Sequence, residues 1–345
     1  MKRTIRTLAY ASSLVSLALT SAIGFSQATP KKIKIGLSLD TLKEERWQRD
    51  RDLFVARAKE MGAEVLVQAA NGNDTLQNSQ AENLLTQGVD VLVVVPHNGV
   101  TSAAIVKAAH KAGKKVIAYD RLIRNSDVDY YVSFDNLEVG HMQAKYLLEK
   151  APKGNYVVIG GSPTDNNAHL YHQGQMEILQ PAIDKGDIKI VADQWAKEWQ
   201  ASEALKHTEN ALTKNKNDIV AIVAPNDGTA GGAISALKQQ KLAGKVFVSG
   251  QDAELAACQR IVEGTQSMTV YKPIKILATK AADLAVAIAK GETINENFTK
   301  LNNGKIDVKS ILITPVQVDK SNMDSTVISD GYHAKKDVYK NMPKS

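Results

Sequence analysis

Ten short apolar runs, alternating with longer stretches of helical spacing, constrain this chain more than any other feature. The runs span residues 32–40, 63–70, 89–96, 115–120, 129–135, 155–161, 188–194, 219–225, 245–252 and 266–271. Most are unbroken Val/Ile/Leu sequences, as parallel strands covered on both faces require. Between them, apolar residues recur every three or four positions. Trp47, Phe54, Ala58 and Met61 form one such stripe, stopped by Gly62. A second stripe starts at Asp74 as N-cap and ends at Gly88. Strand–helix alternation of this kind builds right-handed βαβ units. Ten strands exceed one small sheet, so two doubly wound α/β lobes of about five strands each are expected. An extended segment, 308–318, is broken by Pro315, and the residues after Tyr332 read as a polar tail, 333–345.

The first 28 residues stand apart from this alternation. They read MKRTIRTLAYASSLVSLALTSAIGFSQA: a basic start with Lys2, Arg3 and Arg6, an apolar run diluted by hydroxyl residues, then Ser26-Gln27-Ala28. That is the order of an export signal peptide cleaved after Ala28. Its removal leaves 317 residues, enough for two cores, and takes the net charge from +6 to +3. A balance so modest does not indicate a nucleic-acid partner. No later apolar run approaches bilayer-spanning length. The single cysteine, Cys258, forms no intrachain disulfide and reads as a small core residue.

Polar side chains cluster just after the strands. They are Asp40 with Glu45-Arg46-Trp47, Asp120-Arg121, Asp165-Asn166-Asn167 after Gly160-Gly161, Asp193-Gln194-Trp195, Asn226-Asp227, Gln251-Asp252 and Lys272. Open α/β sheets bind ligands in the crevice outside the carboxyl ends of their strands. Asp and Asn pair with hydroxyl groups, Arg and Lys donate, and Trp offers a flat apolar face. A sugar presents the matching parts, a rim of hydroxyls and apolar C–H faces. Each residue also has a plainer reading: an N-cap for an Asp, helix core for Trp47, a local ion pair for Asp120-Arg121. The agreement of so many strand ends argues for a shared cleft.

Other chemistries fit poorly. Gly228-Thr-Ala-Gly231-Gly232 lacks the Lys-Ser/Thr of a phosphate loop and suits close helix packing instead. His169-x-x-His172 has no third metal ligand at conventional spacing, and no nucleophile elbow or Cys–His pairing is visible. Asp120 and Asp252 could be a glycosidase pair, but nothing isolates one of them in an apolar pocket.

Over residues 31–320 the chain resembles the ribose/galactose-type periplasmic sugar-binding proteins. The resemblance rests on ERWQRDRD (45–52), ANGN (70–73), AYDR (118–121), SFDN (133–136), GGSPTDNNA (160–168), DQW (193–195), NDGTAGGAI (226–234), SGQDA (249–253) and TQSMTVYKP (265–273). It implies the type I periplasmic-binding-protein fold, with two parallel-sheet lobes joined by a three-strand hinge. The N-terminal lobe would comprise 29–134 and 272–305, and the C-terminal lobe 135–271 and 306–332. Crossovers would lie near Ser133–Asn136, Thr269–Lys272 and Asn302–Ser310. It implies a binding protein rather than an enzyme, with no cofactor or metal, since the Asp-rich calcium loop of one relative is absent. A monosaccharide would lie between Trp47 and Trp195. It would be held by Arg46, Asp120 and Arg121 from one lobe, Asp165, Asn167, Asn226 and Asp252 from the other, and Lys272 from the hinge. Glu45 and Gln251 would touch the sugar or orient a neighbour. Glu-Arg-Trp (45–47), Asp-Gln-Trp (193–195) and Tyr-Lys-Pro (271–273) favour D-xylose; the alternative is another pentose or a hexose. His97 departs from the pattern, standing where xylose binders carry an aromatic ring. The implied partner is the membrane permease of an ABC transporter, with a chemoreceptor or sensor as a second possible listener.

Overall fold

Val91–Val94 shows how these strands form: all four residues are fully buried, because helices cover both faces of the sheet. The structure, a computed structural model, describes residues 32–343, so the expected signal peptide lies outside the described residues. In the first half the order is β1 (Lys34–Leu39), α1 (Glu45–Glu60), β2 (Glu64–Ala69), α2 (Asp74–Thr86), β3 (Val91–Val94), α3 (Ala103–Lys111), β4 (Lys115–Tyr119), β5 (Tyr130–Phe134) and α4 (Asn136–Lys150). Then come β6 (Gly154–Gly160), α5 (Asn166–Asp184), β7 (Ile188–Trp195), a 3₁₀ turn at Lys197–Trp199, α6 (Ala201–Lys214), β8 (Ala221–Val223), α7 (Asp227–Gln239), β9 (Phe247–Val248) and α8 (Leu255–Glu263). The chain closes with β10 (Thr269–Tyr271), α9 (Ile274–Lys290), β11 (Thr299–Asn302), β12 (Asp307–Ile313), β13 (Val316–Val318), a π turn at Asp324–Ile328 and α10 (Lys335–Val338). No helix among the described residues is long and apolar enough to cross a membrane.

The first lobe holds a seven-stranded sheet, β11-β12-β5-β4-β3-β1-β2, parallel except for β11. One face packs on α1 and α9, through Phe54, Leu277 and Ala281; the other packs on α2 and α3, through Leu84 and Ile105. The second lobe holds a parallel four-stranded sheet, β7-β6-β8-β9, between α6/α7 and α4/α5. Helices α4 and α5 cross at a glycine pair, where a Cβ on Gly140 or Gly174 would collide with the facing backbone. That contact seats α5 against α4; the N-terminal end of α5 carries Asp165 and Asn167. Strand order reverses between β1 and β3 in one lobe and between β6 and β8 in the other. Such switch points open crevices beyond the strand ends.

The chain passes between lobes after Phe134, after Tyr271 and after Ile313. The third passage corrects the implied crossover at Asn302–Ser310 and the lobe boundary at 305/306. Strand β12 pairs in parallel with β5, from Lys309 opposite Tyr130 to Ile313 opposite Phe134, and so completes the first sheet. Pro315, with no N–H to give, ends that ladder, and β13 then pairs antiparallel with β10. The five-and-five division is corrected for the same reason: β11 and β12 enlarge the first sheet, while β10 leaves the second for the hinge. The polar tail is also corrected. His333 and Val338 are buried, and Val338 packs with Cys258, Ile261, Met323 and Val327. The N-cap of α2 is Asn73, which accepts from Leu76 N, one residue before the expected Asp74.

Candidate functional site

The two crevices face each other and form one cavity. Its first-lobe wall is Glu44 from the β1–α1 loop, Arg46 and Trp47 from the first turn of α1, and Asp120-Arg121 beyond β4. The second lobe supplies Asp165 and Asn167 at the start of α5, Tyr171 one turn on, Trp199, Asn226 at the N-cap of α7, and Gln251-Asp252. Lys272 stands at the second crossover. Several of these side chains also serve their helices. Asp165 accepts from Asn167 N, and Asn226 forms a capping box with Thr229. The plainer N-cap reading and the cavity-lining position therefore coexist at these residues.

Charges in the cavity are buried and paired. Arg46 Nη2 lies 2.7 Å from Asp120 Oδ2, Nε lies 3.1 Å from Asp50 Oδ2, and Nη1 lies 3.5 Å from Asp252 Oδ1 across the cleft. Lys272 Nζ sits 3.2 Å from Asp252 and 3.8 Å from Asp120. Arg121 links the lobes a second time, at 2.6 Å from Asp40 and 2.8 Å from Asp165. Both guanidinium groups lie over the Trp47 ring, at 4.3 and 5.2 Å from its centroid. Burial pushes the Asp120 carboxyl up, but Arg46, Lys272 and Arg121 together bring it below the usual range. Asp40 follows the same logic: burial opposes ionisation, Arg121 and His97 favour it, and its pKa falls to about 2. At Asp165 burial prevails and the shift is upward.

The backbone is strained at both strand ends. Asp120 has φ 60° and Asp252 φ 95°, followed by Ala253 at 50°. Non-glycine residues held there cost about 1–3 kcal/mol each and persist only where the surroundings over-determine them. Three donors hold the Asp120 carbonyl: Tyr131 Oη at 2.9 Å, Ser133 Oγ at 2.6 Å and Asn167 Nδ2 at 3.1 Å. The strained turns direct both carboxylates toward Arg46 and Lys272.

Four polar atoms around this cavity have no hydrogen-bond partner among the described residues. They are the acceptors Glu44 Oε2, Gln251 Oε1 and Asp252 Oδ1, and the donor Trp199 Nε1. Asp252 Oδ1 has only its longer ionic contacts with Arg46 and Lys272. An unsatisfied buried group costs about 1–3 kcal/mol. A ligand that both donates and accepts, as a hydroxyl does, relieves that cost. Two rings, Trp47 and Trp199, supply apolar faces in the same space.

Of the residues expected in the site, Arg46, Trp47, Asp120, Arg121, Asp165, Asn167, Asn226, Asp252 and Lys272 meet in the cavity. Glu45 does not. It turns outward, accepting from Arg49 at 2.9 Å and from Leu255 N at 3.1 Å. Trp195 does not either. Its ring lies on Gly160, against His169 and His172, at 4.7 and 5.5 Å between centroids. The turn after β7 explains the exchange: Glu198 and Trp199 both take φ 54°, and this reversal points Trp199 back into the cleft. A Cβ on Gly161 would collide with the Trp199 ring. The Gly160-Gly161 pair was thus the available signal, one glycine seating each tryptophan. Glu44 and Tyr171 carried no such signal. His97 lies on the cleft's outer side, 2.8 Å from Asp40 and 3.7 Å from Glu198 of the other lobe. His172 pairs with Asp193, and the described residues hold no cluster fit for a metal.

Comparison with known proteins agrees with this geometry. Residues 35–293 match the periplasmic binding protein domain. The chain is 54% identical over 328 residues to a D-xylose-binding periplasmic protein of Haemophilus influenzae, covering 95% of this chain and 98% of that one. It is 54% identical over 306 residues to the D-xylose-binding periplasmic protein of Escherichia coli, covering 89% and 92%. Among solved structures, a carbohydrate transporter solute-binding protein of Chloroflexus aurantiacus, in complex with D-glucose, superposes with a TM-score of 0.84. It is 34% identical, and the match covers 89% of this chain and 98% of that one. With a cleft between two parallel-sheet lobes and relatives matched nearly end to end, the chain belongs to the periplasmic binding protein family.

Proposed function

We propose that this protein captures D-xylose between its lobes and delivers it to the permease of an ABC transporter, as a binding protein and not a catalyst. The observation that carries the reading is the set of four unpartnered polar atoms on residues that line one cavity, together with two indole rings. Arg46, Arg121 and Lys272 supply donors, and Asp120, Asp165 and Asp252 supply acceptors for the ring hydroxyls. Trp47 and Trp199 bracket the C–H faces. The two 54% relatives name D-xylose as the sugar; the Chloroflexus likeness favours a hexose as the second reading. Residues 1–28 serve as the export signal, with the mature chain starting at Thr29 in the periplasm.

Calorimetric titration with D-xylose, D-ribose, L-arabinose, D-glucose and D-galactose tests the reading. The expected result is tightest binding to D-xylose. Heat from D-glucose alone would replace the pentose with the hexose, and silence across the panel would reject the sugar cleft.

A further inference from the structure

Helix α1 uses two faces. Its inner face carries Arg46, Trp47 and Asp50 into the cavity network. Its outer face carries Glu45 and Arg49, which take no part in that cavity. Arg49, half-buried, donates from Nη1 to the carbonyl of Tyr332 and lays its guanidinium over the Tyr332 ring, 4.4 Å from the centroid. Its Nη2 lies 3.3 Å from His333 Nδ1. Tyr332 and His333 belong to the other lobe, where the Tyr332 ring packs at a tilt against Tyr271, 5.1 Å between centroids, and the following helix is anchored by Val338.

These two residues also reach the strained turn of the site. Tyr332 Oη donates to the carbonyl of Asp252 at 3.4 Å, and His333 Nε2 donates to that of Ala253 at 2.7 Å. With Nε2 carrying the proton, Nδ1 of a neutral ring accepts from Arg49, and burial favours the neutral ring. Beside them, Glu45 Oε2 accepts from Leu255 N in the first turn of α8. A chain of contacts thus runs from the first lobe, through the C-terminal strap, to the two positive-φ residues that present the site carboxylate.

We infer that Arg49 and the Tyr332–His333 strap form an interlobe clasp, outside the sugar cavity, that positions Asp252 and holds the lobes shut over bound ligand. Arg49 is a positioning residue: it sets affinity through the closed form without touching sugar. The inference rests on the sugar-clamp reading. Because binding reports the fraction of closed protein, loss of a charge-assisted clasp weakens apparent affinity by roughly ten-fold or more.

The test uses the full mature chain, with Arg49→Ala as the variant and Arg51→Ala as the control. Arg51 lies on the same helix and, among the described residues, pairs with Asp52 alone. Stopped-flow tryptophan emission gives the rates with D-xylose, and melting without sugar gives the stability of the unliganded chain. Arg49→Ala is expected to raise Kd about ten-fold, almost wholly through faster dissociation. Its sugar-free melting temperature should match wild type, and Arg51→Ala should bind as wild type does. An unchanged Kd, a slower association with unchanged dissociation, an equal effect of Arg51→Ala, or a matching loss of sugar-free melting temperature would each overturn the clasp. Failure of the wild type to bind any sugar of the panel would overturn the functional reading itself, which separates the two.

Discussion

Arg121 illustrates how much a single residue carries here. It neutralises Asp40 of its own lobe and Asp165 of the other, and only about 5% of it is exposed. In the sequence, Asp120-Arg121 reads as a strand-end pair suited to a cleft rim; the structure buries it. Truncating one partner of a buried pair costs about 3–5 kcal/mol. Arg121→Ala should therefore lower the melting temperature as well as sugar affinity, and an affinity loss without any loss of stability would contradict the burial. The tryptophans give a second expectation. Trp199→Phe should reduce the emission change on sugar addition, leaving the share of Trp47, while Trp195→Phe should leave it unaltered. The reverse result would return Trp195 to the cleft. Trp195 was the legible choice because it closes a strand. Trp199 was hidden because its direction depends on two left-handed residues that no apolar pattern announces.

At the scale of elements, the alternation of runs and stripes made the helices and the parallel strands readable, since burial on both faces leaves a continuous apolar signature. What it could not show was sheet membership. β11 has only four residues and β12 begins with alternating exposed polar residues, and only the pairing of β12 with β5, and of β11 with β12, places them in the first sheet. The junction of α7, α8 and β10 carries a pH expectation of its own. Asp227 is fully buried and accepts from Gln266, Thr269 and Glu254 N, and burial pushes its pKa up to about 7. Its value in the unfolded chain is the ordinary 3.8. Between these two values the folded chain holds a proton that the unfolded chain has released. The stabilisation is complete at pH values below the unfolded pKa and is lost as pH rises toward 7. Asp227→Asn should flatten that slope in chemical denaturation between pH 4 and pH 7, within the window these values define. An unaltered slope would assign the pH dependence elsewhere.

For the whole molecule, the three passages of the chain between lobes have a consequence for how it is made. β5 pairs on one side with β4 and on the other with β12, which arrives only at residues 307–313. The lobe that opens the chain is finished by its end, with the other lobe inserted between. Contacts so distant in sequence form slowly, because a long loop must close before they are rewarded. A chain cut after residue 305 should accordingly expose the edge of β5 and aggregate or melt at markedly lower temperature; a cut chain that stays soluble and melts normally would show that β12 is dispensable. While the nascent chain lacks β12, its first lobe has an open sheet edge and no way to seal it. Slow completion also lengthens the interval in which the first lobe stands without its last two strands, since β11 and β12 follow the whole of the inserted lobe. The strand that closes the sheet thereby sets the earliest moment at which the first lobe can be finished, whatever the pace of the residues before it.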